Sequence, residues 1–369
     1  MKILITGANG FVGKNLVAEL KNQGYSDLLL CDRGTTEFEL AEFAKKADFV
    51  YHLAGVNRPK TEAEFEEGNK GFTEKLLELL SKNQTPPPVM FASSTQAELS
   101  NAYGMSKKEA ESLIISYGQE ETVNIMIYRF PNLFGKWCKP NYNSVVATFC
   151  HNISHGMPIQ VNDDKAELTL AYIDDVVSEL ISQLDENDSN QTVYCEVNPT
   201  YKITLKELAR LLSSFKETRN NLSVPELNDS LIKNLYSTYL SYLPESQFSY
   251  ELTMHKDHRG SFTEFIRTPD RGQVSVNISK PGIVKGNHWH HTKNEKFLVV
   301  SGKGVIRFRK IESEEIIEYV VSGDKLEVVD IPVGYAHNIE NLGDSDMVTI
   351  MWVNESFDPM NPDTYYVEV

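Results

Sequence analysis

The sequence predicts an α/β domain built on a Rossmann-type, doubly wound parallel sheet, followed by a small all-β sandwich or barrel. The chain has 369 residues, whereas a single core rarely grows beyond about 250–300 residues, so we expect two domains. Short apolar runs alternate with helical patterns in the N-terminal part, which indicates a parallel sheet. From about Tyr250 onward, strand patterns follow one another without a helical period. The polar stretch around Pro244 separates the predicted domains, residues 1–243 and 250–369.

The individual elements follow from this alternation. The N-terminal strands are KILITG, DLLLCD, ADFVYHLAG, PVMFASS and VNIMIYRF. Helical patterns lie between them, in VGKNLVAELKNQG and NKGFTEKLLELLSKN. The C-terminal strands are QVSVNIS, EKFLVVSG, GVIRFRK and KLEVVDIP, separated by Gly, Pro and Asn turns.

Composition excludes several classes of function. The formal net charge is −16, which argues against a nucleic-acid binder because phosphate contacts need clustered Lys and Arg. An anionic small molecule remains compatible, since a local site can oppose the overall field. We find no signal peptide and no apolar stretch near 18 residues, so we expect a cytoplasmic protein without a membrane span. We expect the four cysteines, which lack CxxC spacing, to be free thiols.

A glycine-rich turn near the N-terminus predicts a dinucleotide site. Gly7, Gly10 and Gly13 lie between the first strand and the first helix, where glycine lets the backbone approach a pyrophosphate. The spacing is GxxGxxG rather than the commoner GxGxxG. Asp32 ends the second strand, where an acid accepts the ribose hydroxyls, although it could also be only a turn residue. Arg33 could instead pair with a 2′-phosphate, which favours NADPH over NADH.

Tyr103 and Lys107 form a candidate proton-transfer pair. They stand four residues apart in a helical pattern and therefore share one face. A free tyrosine has a pKa near ~10, and a neighbouring ammonium is expected to lower it. Ser94, at the end of a strand, could hydrogen-bond a substrate carbonyl, with Thr95 as the alternative.

These motifs, in this order, resemble the extended short-chain dehydrogenases/reductases that act on nucleotide sugars. GANGFVG, HLAG, NKGFTEKLLE, the Ser94/Tyr103/Lys107 set and AYIDDVV all match. One departure is AELTLAYIDD, where the family more often has an Arg-Asp pair before the aromatic residue. The resemblance gives Asn69 a structural role. It implies cofactor contacts from Gly7, Asn9, Gly10, Phe11, Val12, Gly13, Asp32 or Arg33, Leu53, Ala54, Tyr103 and Lys107.

The stretch from Gly282 to Gly302 predicts a metal site. His288 and His290 alternate by two and would share one face of a strand, whereas His291 would point away and is not expected to bind. Glu295 follows after a short turn, and His337 lies in a later strand-like segment. Imidazoles with one carboxylate suit Zn²⁺, or less specifically Fe²⁺, Mn²⁺ or Ni²⁺.

The pattern resembles a cupin, which implies a β-barrel with His288, His290, Glu295 and His337 as metal ligands. KGNHWH and DHRGSFTEF also resemble segments of the metal-free deoxysugar 3,5-epimerases, where the histidine at the position of His288 is the general base. His288 therefore has two open roles, fourth ligand or base. The same resemblance makes Lys285 a candidate catalytic residue, and Lys285 and Arg259 candidates for contacting the phosphates or the enolate oxygen.

The order of the two parts resembles bifunctional capsular polysaccharide enzymes. The resemblance implies C3 epimerisation of a UDP-2-acetamido-2,6-dideoxy-4-hexulose by the cupin. NADPH reduction at C4 to UDP-N-acetyl-6-deoxy-L-talosamine would follow. The alternatives are an NAD-dependent 4-epimerase or dehydratase with a cupin that only binds sugar, and a redox-sensing regulator, against which the intact Tyr103 and Lys107 speak. We expect a homo-oligomer, with a dimer as the first hypothesis.

Overall fold

The computed structural model describes the chain except residues 60, 62, 185–191, 253–254, 258–259, 263–265, 267–271 and 356–359. Its contacts divide the chain into two compact units. The N-terminal unit comprises residues 1–144 and 167–203, and the C-terminal unit comprises residues 145–166 and 204–369. The helices are α1 (Phe11–Asn22), α2 (Glu37–Lys46), α3 (Ala63–Phe65), α4 (Phe72–Leu80), α5 (Ala102–Glu121), α6 (Val145–Ser154), α7 (Ile173–Ser182), α8 (Leu205–Glu217) and α9 (Ser230–Leu240).

The N-terminal unit is built on a parallel sheet. Its strands are β1 (Ile3–Thr6), β2 (Leu28–Cys31), β3 (Phe49–His52), β4 (Val89–Ser94), β5 (Ile125–Phe130) and β8 (Thr192–Cys195), in the order β2-β1-β3-β4-β5-β8. Every pairing in this sheet is parallel. A smaller sheet has the order β6 (Asn132–Phe134), β7 (Glu167–Tyr172) and β9 (Thr200–Thr204). The predicted doubly wound sheet is confirmed.

Continuous apolar strands make this sheet a buried layer. β1 and β3 are buried at every position, as expected for parallel strands covered on both faces. Helix α4 packs Leu76, Leu77 and Leu80 against the sheet at helical spacing. Because the strands are parallel, their carboxyl ends lie at one edge of the sheet, where ligands bind in open α/β sheets.

The C-terminal unit contains the predicted all-β domain. One antiparallel sheet has the order β10 (Ser249–Glu251), β18 (Glu327–Ile331), β15 (Glu295–Ser301), β20 (Met347–Val353) and β13 (Gln273–Ser279). A second has the order β17 (Ile316–Ser322), β16 (Lys303–Lys310), β19 (Tyr335–Asn341), β14 (Val284–Trp289) and β21 (Tyr365–Tyr366). β11 (His255–Asp257) pairs in antiparallel fashion with β12 (Gly260–Phe262). The antiparallel sheets agree with a cupin barrel.

A buried ion network explains why α8 and α9 group with the barrel strands. Asp330 on β18 accepts a 2.6 Å hydrogen bond from Lys296 Nζ, and its other oxygen lies 3.3 Å from Arg219 Nε, just beyond α8. Asn294 Nδ2 also donates to Ser237 Oγ on α9, at 3.0 Å. Helices α6, α8 and α9 therefore belong by contacts to the C-terminal unit, whereas the domain boundary at 243–250 stays a prediction.

No helix among the described residues is long and apolar enough to cross a membrane. The four cysteines, Cys31, Cys138, Cys150 and Cys195, are not joined in disulfides.

We expect Gly13→Ala to destabilise the N-terminal unit by about 1–3 kcal/mol, the usual cost of overpacking. A Cβ on Gly13 would lie 2.3 Å from the Gly7 carbonyl oxygen and 2.8 Å from Ala8 Cα, and neither backbone atom can swing away. Gly34→Ala is the control, because its Cβ would meet only the Asp32 carboxylate at 3.4 Å. Urea unfolding monitored by circular dichroism tests this. Equal midpoints for the two variants would contradict the tight packing of the turn.

Candidate active sites

The glycine-rich turn packs directly on the segment that follows β3. Gly7 has φ +70°, and a Cβ there would lie 2.8 Å from the Ala54 nitrogen. Ala54 N donates to Thr6 Oγ1, and Leu53 N donates to the Thr6 carbonyl, both at 3.2 Å. The structure therefore brings together the glycine turn, Leu53 and Ala54, as the sequence predicts.

Helix α1 begins at this turn with its first amides open to a ligand. Gly10 is the N-cap and offers no side-chain hydrogen bond to the helix. The N–H groups of Phe11 and Val12 belong to the first turn of the helix and lie at the positive end of its dipole. A pyrophosphate suits this position because it accepts those hydrogen bonds.

Asp32 follows β2 and holds the turn beside it. Its carboxylate accepts hydrogen bonds from Asn9 Nδ2 and, at 2.8 Å, from the Gly34 amide. Asp32 therefore stabilises the turn after β2, which is one of the two roles that the sequence suggests. The same carboxylate also fixes Asn9 of the glycine-rich turn. Carboxylate oxygens can accept further bonds, so the ribose contact remains compatible with this geometry. Arg33 is exposed next to it, and the preference for NADPH stays a prediction.

Helix α5 places the predicted proton-transfer residues at the end of β4. Asn101 caps the helix by accepting from Gly104 N at 2.8 Å. The Tyr103 hydroxyl hydrogen-bonds with the Ser94 side chain, which favours Ser94 over Thr95 as the partner. Lys107 is buried one turn later, where its Nζ donates to the Ala92 carbonyl at 2.9 Å.

Burial, rather than the lysine, dominates the pKa of Tyr103. Desolvation raises this pKa, and the Ser94 hydrogen bond only partly opposes the rise. The net shift is therefore upward, opposite to the lowering that the sequence analysis expects from Lys107, and the effect of Lys107 on Tyr103 stays a prediction. Burial also lowers the pKa of Lys107 to about 8, with Glu111 acting in the opposite direction.

Glu111 is a buried carboxylate that the sequence analysis missed. It lies four residues after Lys107 on the same helix and accepts hydrogen bonds from Ser93 Oγ at 2.5 Å and from Arg129 Nη2 at 2.7 Å. These bonds tie α5 to the ends of β4 and β5. Glutamate in a helical pattern normally indicates a solvent-facing position, so only the tertiary contacts reveal this role.

Asn69 has the structural role that the sequence predicts. Its side chain accepts from Val56 N at 2.8 Å and donates to Ser106 Oγ at 2.9 Å. It therefore fixes the segment after β3 against α5, next to Lys107.

The second site forms where β14, β15 and β19 meet. The antiparallel register of β14 and β19 sets His288 opposite His337, after an irregularity between Gly286 and His288. Glu295 is the first residue of β15, and His290 lies just beyond the end of β14. One ligand atom from each of His288, His290, Glu295 and His337 lies within 4.8 Å of the others.

The donor atoms fit a divalent metal ion. Glu295 Oε2 lies 3.5 Å from His290 Nε2 and 3.2 Å from His337 Nε2, yet these three buried atoms make no hydrogen bond within the described part of the chain. Buried polar atoms normally have partners, so the convergence of these atoms suits an ion. Three imidazoles and one carboxylate match the ligand preference of Zn²⁺, and of related transition metals.

The protonation states of Glu295 and His288 agree with metal binding, whereas burial only partly offsets the rise in the pKa of His290 that Glu295 and the Asp363 carbonyl cause. Burial would raise the pKa of Glu295, but the two neighbouring imidazoles hold it well below its usual range. Burial and the other imidazoles lower the pKa of His288 to about 4, so its ring is neutral at neutral pH. Neutral imidazole is the form that binds a metal or accepts a proton, and both roles for His288 remain open.

The other C-terminal candidates lie outside this cluster. His291 packs its ring against Trp289 and Tyr365, with centroid separations of 4.6 and 5.1 Å. Lys285 Nζ donates to the Ile278 carbonyl at 2.7 Å, and its catalytic role stays a prediction. Arg259 lies outside the described residues.

Comparison with known proteins also divides the chain into an N-terminal and a C-terminal part. Residues 3–195 match the NAD dependent epimerase/dehydratase family, and residues 255–365 match the polysaccharide biosynthesis C-terminal domain. The UDP-2-acetamido-2,6-beta-L-arabino-hexul-4-ose reductase of Pseudomonas aeruginosa is 45% identical, over 100% of this chain and 99% of the relative.

Solved structures are similar to this chain as well. The capsular polysaccharide assembling protein CapF from Staphylococcus aureus is 57% identical over 100% of both chains, with a TM-score of 0.68. The UDP-glucose 4-epimerase of Thermotoga maritima covers 58% of this chain and 82% of its own, at 20% identity and a TM-score of 0.53, and it shares the fold. The predicted resemblance to capsular polysaccharide enzymes is confirmed. The chain belongs to the NAD dependent epimerase/dehydratase family, in a form that carries a polysaccharide biosynthesis C-terminal domain.

Proposed function

We propose that the chain is a bifunctional nucleotide-sugar enzyme of capsule biosynthesis. Its substrate is a UDP-2-acetamido-2,6-dideoxy-4-hexulose, which the C-terminal unit epimerises at C3. The N-terminal unit then reduces the C4 ketone with NADPH to UDP-N-acetyl-6-deoxy-L-talosamine. The observation that carries the proposal is full-length similarity to the Pseudomonas reductase in a chain that has both a Ser94/Tyr103/Lys107 site and a four-residue metal-type cluster.

The geometry of the N-terminal unit supports ketone reduction. NADPH, when bound, supplies the hydride for C4. The Tyr103 hydroxyl donates the proton that the C4 oxygen requires, and Ser94 holds that oxygen beside the phenol. The buried Lys107 ammonium stabilises negative charge as the phenol gives up its proton. Its lowered pKa makes this charge sensitive to pH near the physiological range.

The geometry of the C-terminal unit supports proton abstraction next to a carbonyl. A 4-ketone acidifies the hydrogen at C3, and a base that removes it and returns a proton to the other face inverts the centre. His288 is partly exposed, whereas His290 and His337 are buried, so His288 is the histidine that a sugar can reach. His290, Glu295 and His337 would hold a divalent ion, which would supply positive charge for the enolate oxygen.

Tyr103→Phe is expected to lower kcat for NADPH oxidation by at least about 100-fold, because the C4 oxygen loses its proton donor. The same variant should still incorporate solvent deuterium into the ketosugar. Absorbance at the nicotinamide band and mass spectrometry measure the two activities. Tyr366→Phe, an exposed tyrosine of the other unit, is the control. Loss of both activities in Tyr103→Phe would contradict two separate sites.

His290→Ala is expected to show the opposite pattern. Deuterium incorporation should fall by at least about 100-fold, because the charge that stabilises the enolate is lost. NADPH oxidation should persist when the C3-epimerised ketosugar is supplied directly. His291→Ala, the neighbouring histidine outside the cluster, is the matched control. If both activities survive His290→Ala, the chemistry does not belong to this cluster.

Reductase activity should fall as the pH rises through about 8. Burial lowers the pKa of Lys107 to about 8, so the ammonium is present below this pH and is lost above it. Lys107→Arg keeps its charge over this range, so any activity it retains should not decline until a higher pH. The measurement is kcat/KM for NADPH oxidation between pH 6 and 10. A wild-type profile that is flat between about pH 7 and 9.5 would refute a titrating Lys107.

A further inference from the structure

Asp363, near the C-terminus, clamps the loop that carries two of the candidate metal ligands. Its Oδ1 accepts from the His291 amide at 2.9 Å, and its Oδ2 accepts from the amides of Thr292 and Lys293 at 2.9 and 2.8 Å. The Thr292 hydroxyl adds a fourth bond at 3.1 Å. These three consecutive amides lie between His290 and Glu295, so one carboxylate fixes the turn that links the two ligands.

The backbone of the same residue contacts a candidate ligand directly. His290 Nδ1 lies 2.5 Å from the Asp363 carbonyl oxygen. A carbonyl only accepts, so Nδ1 carries a hydrogen, and in the neutral ring the lone pair is then on Nε2. Nε2 is the atom that lies 3.5 Å from Glu295 Oε2, inside the cluster. The Asp363 carbonyl therefore selects the tautomer that a metal ion needs.

The position of Asp363 is itself held in place. It adopts φ +39°, a left-handed conformation that Asp tolerates better than most residues. The following strand, β21, pairs Tyr365 with Trp289 and Tyr366 with His288. The C-terminal segment thus has a fixed register with β14. Both the carboxylate and the carbonyl of Asp363 contact the loop of residues 290–293.

We propose that Asp363 is a positioning residue that sets the metal affinity of the His288/His290/Glu295/His337 cluster. This inference rests on the metal site of the proposed function. Removal of the side chain frees three amides, lets the loop that carries His290 relax, and weakens the hold of the Asp363 carbonyl on the imidazole. Partners that orient a ligand in this way change metal affinity by about 10–100-fold when they are removed.

The test measures Zn²⁺ affinity of the full-length protein by competition with a chromophoric chelator. We expect Asp363→Ala to weaken binding about 10–100-fold. Asp363→Asn keeps one acceptor oxygen and tolerates the same φ, so its loss should be smaller. Asp346→Ala, which removes an exposed barrel carboxylate paired with Lys280, should bind as the wild type does.

A second readout separates positioning from a general loss of stability. The melting temperature is measured in excess chelator and in excess Zn²⁺, and the difference reports binding to the folded state. A merely structural Asp363 would lower both temperatures equally and leave the Zn²⁺ affinity unchanged. Affinity within twofold of the wild type in Asp363→Ala overturns the inference.

His290→Ala identifies which hypothesis has failed. If the wild type binds Zn²⁺ and His290→Ala does not, unchanged affinity in Asp363→Ala refutes the clamp alone. If wild type and His290→Ala bind equally, the metal site itself is refuted, and the role of Asp363 falls with it.

Discussion

Removal of ionisable groups from water is the constraint on which both candidate sites depend. Buried charges persist only when fixed partners replace the lost solvent. In the N-terminal unit the Lys107 ammonium has the Ala92 carbonyl and the Phe91 ring face, and the nearby Glu111 carboxylate is balanced by Arg129. The C-terminal cluster differs, because its converging nitrogen and oxygen atoms lack such partners in the described part of the chain. The charges of the first site are therefore balanced within the protein, whereas the second site has the donor atoms that a cation would need.

The features that the sequence predicts correctly depend on local spacing. The glycine pattern covers seven residues, from Gly7 after β1 to Gly13 in the first turn of α1. Tyr103 and Lys107 share a helix face through a fixed interval of four. Strict strand alternation was a less accurate guide to His288 and His290. Asn287 adopts φ +55° beside an irregularity in β14, and His290 lies beyond the end of the strand. Both histidines nevertheless belong to the cluster. The register with β19 sets His288 opposite His337.

What the sequence could not supply are contacts between distant charged residues. Glu111, Asp330 and Lys296 belong to helix or strand patterns in which a charge normally indicates a solvent-facing position. Each is buried because a partner from another element neutralises it, such as Lys296 with Asp330 at 2.6 Å. Asp363 gives no local signal, since it acts on a loop 70–73 residues earlier in the chain. The raised pKa of Tyr103 belongs to the same class, because burial depends on the complete fold.

The proposed pairing of reactions has a thermodynamic rationale that needs no fixed arrangement of the two sites. Epimers at C3 of a ketosugar have similar free energies, so a base that exchanges the C3 proton reversibly produces a mixture. Hydride transfer from NADPH removes one epimer from this mixture and draws the remainder through the enolate. Stereochemical selection then resides in the reductase site, whereas the barrel has only to make exchange fast.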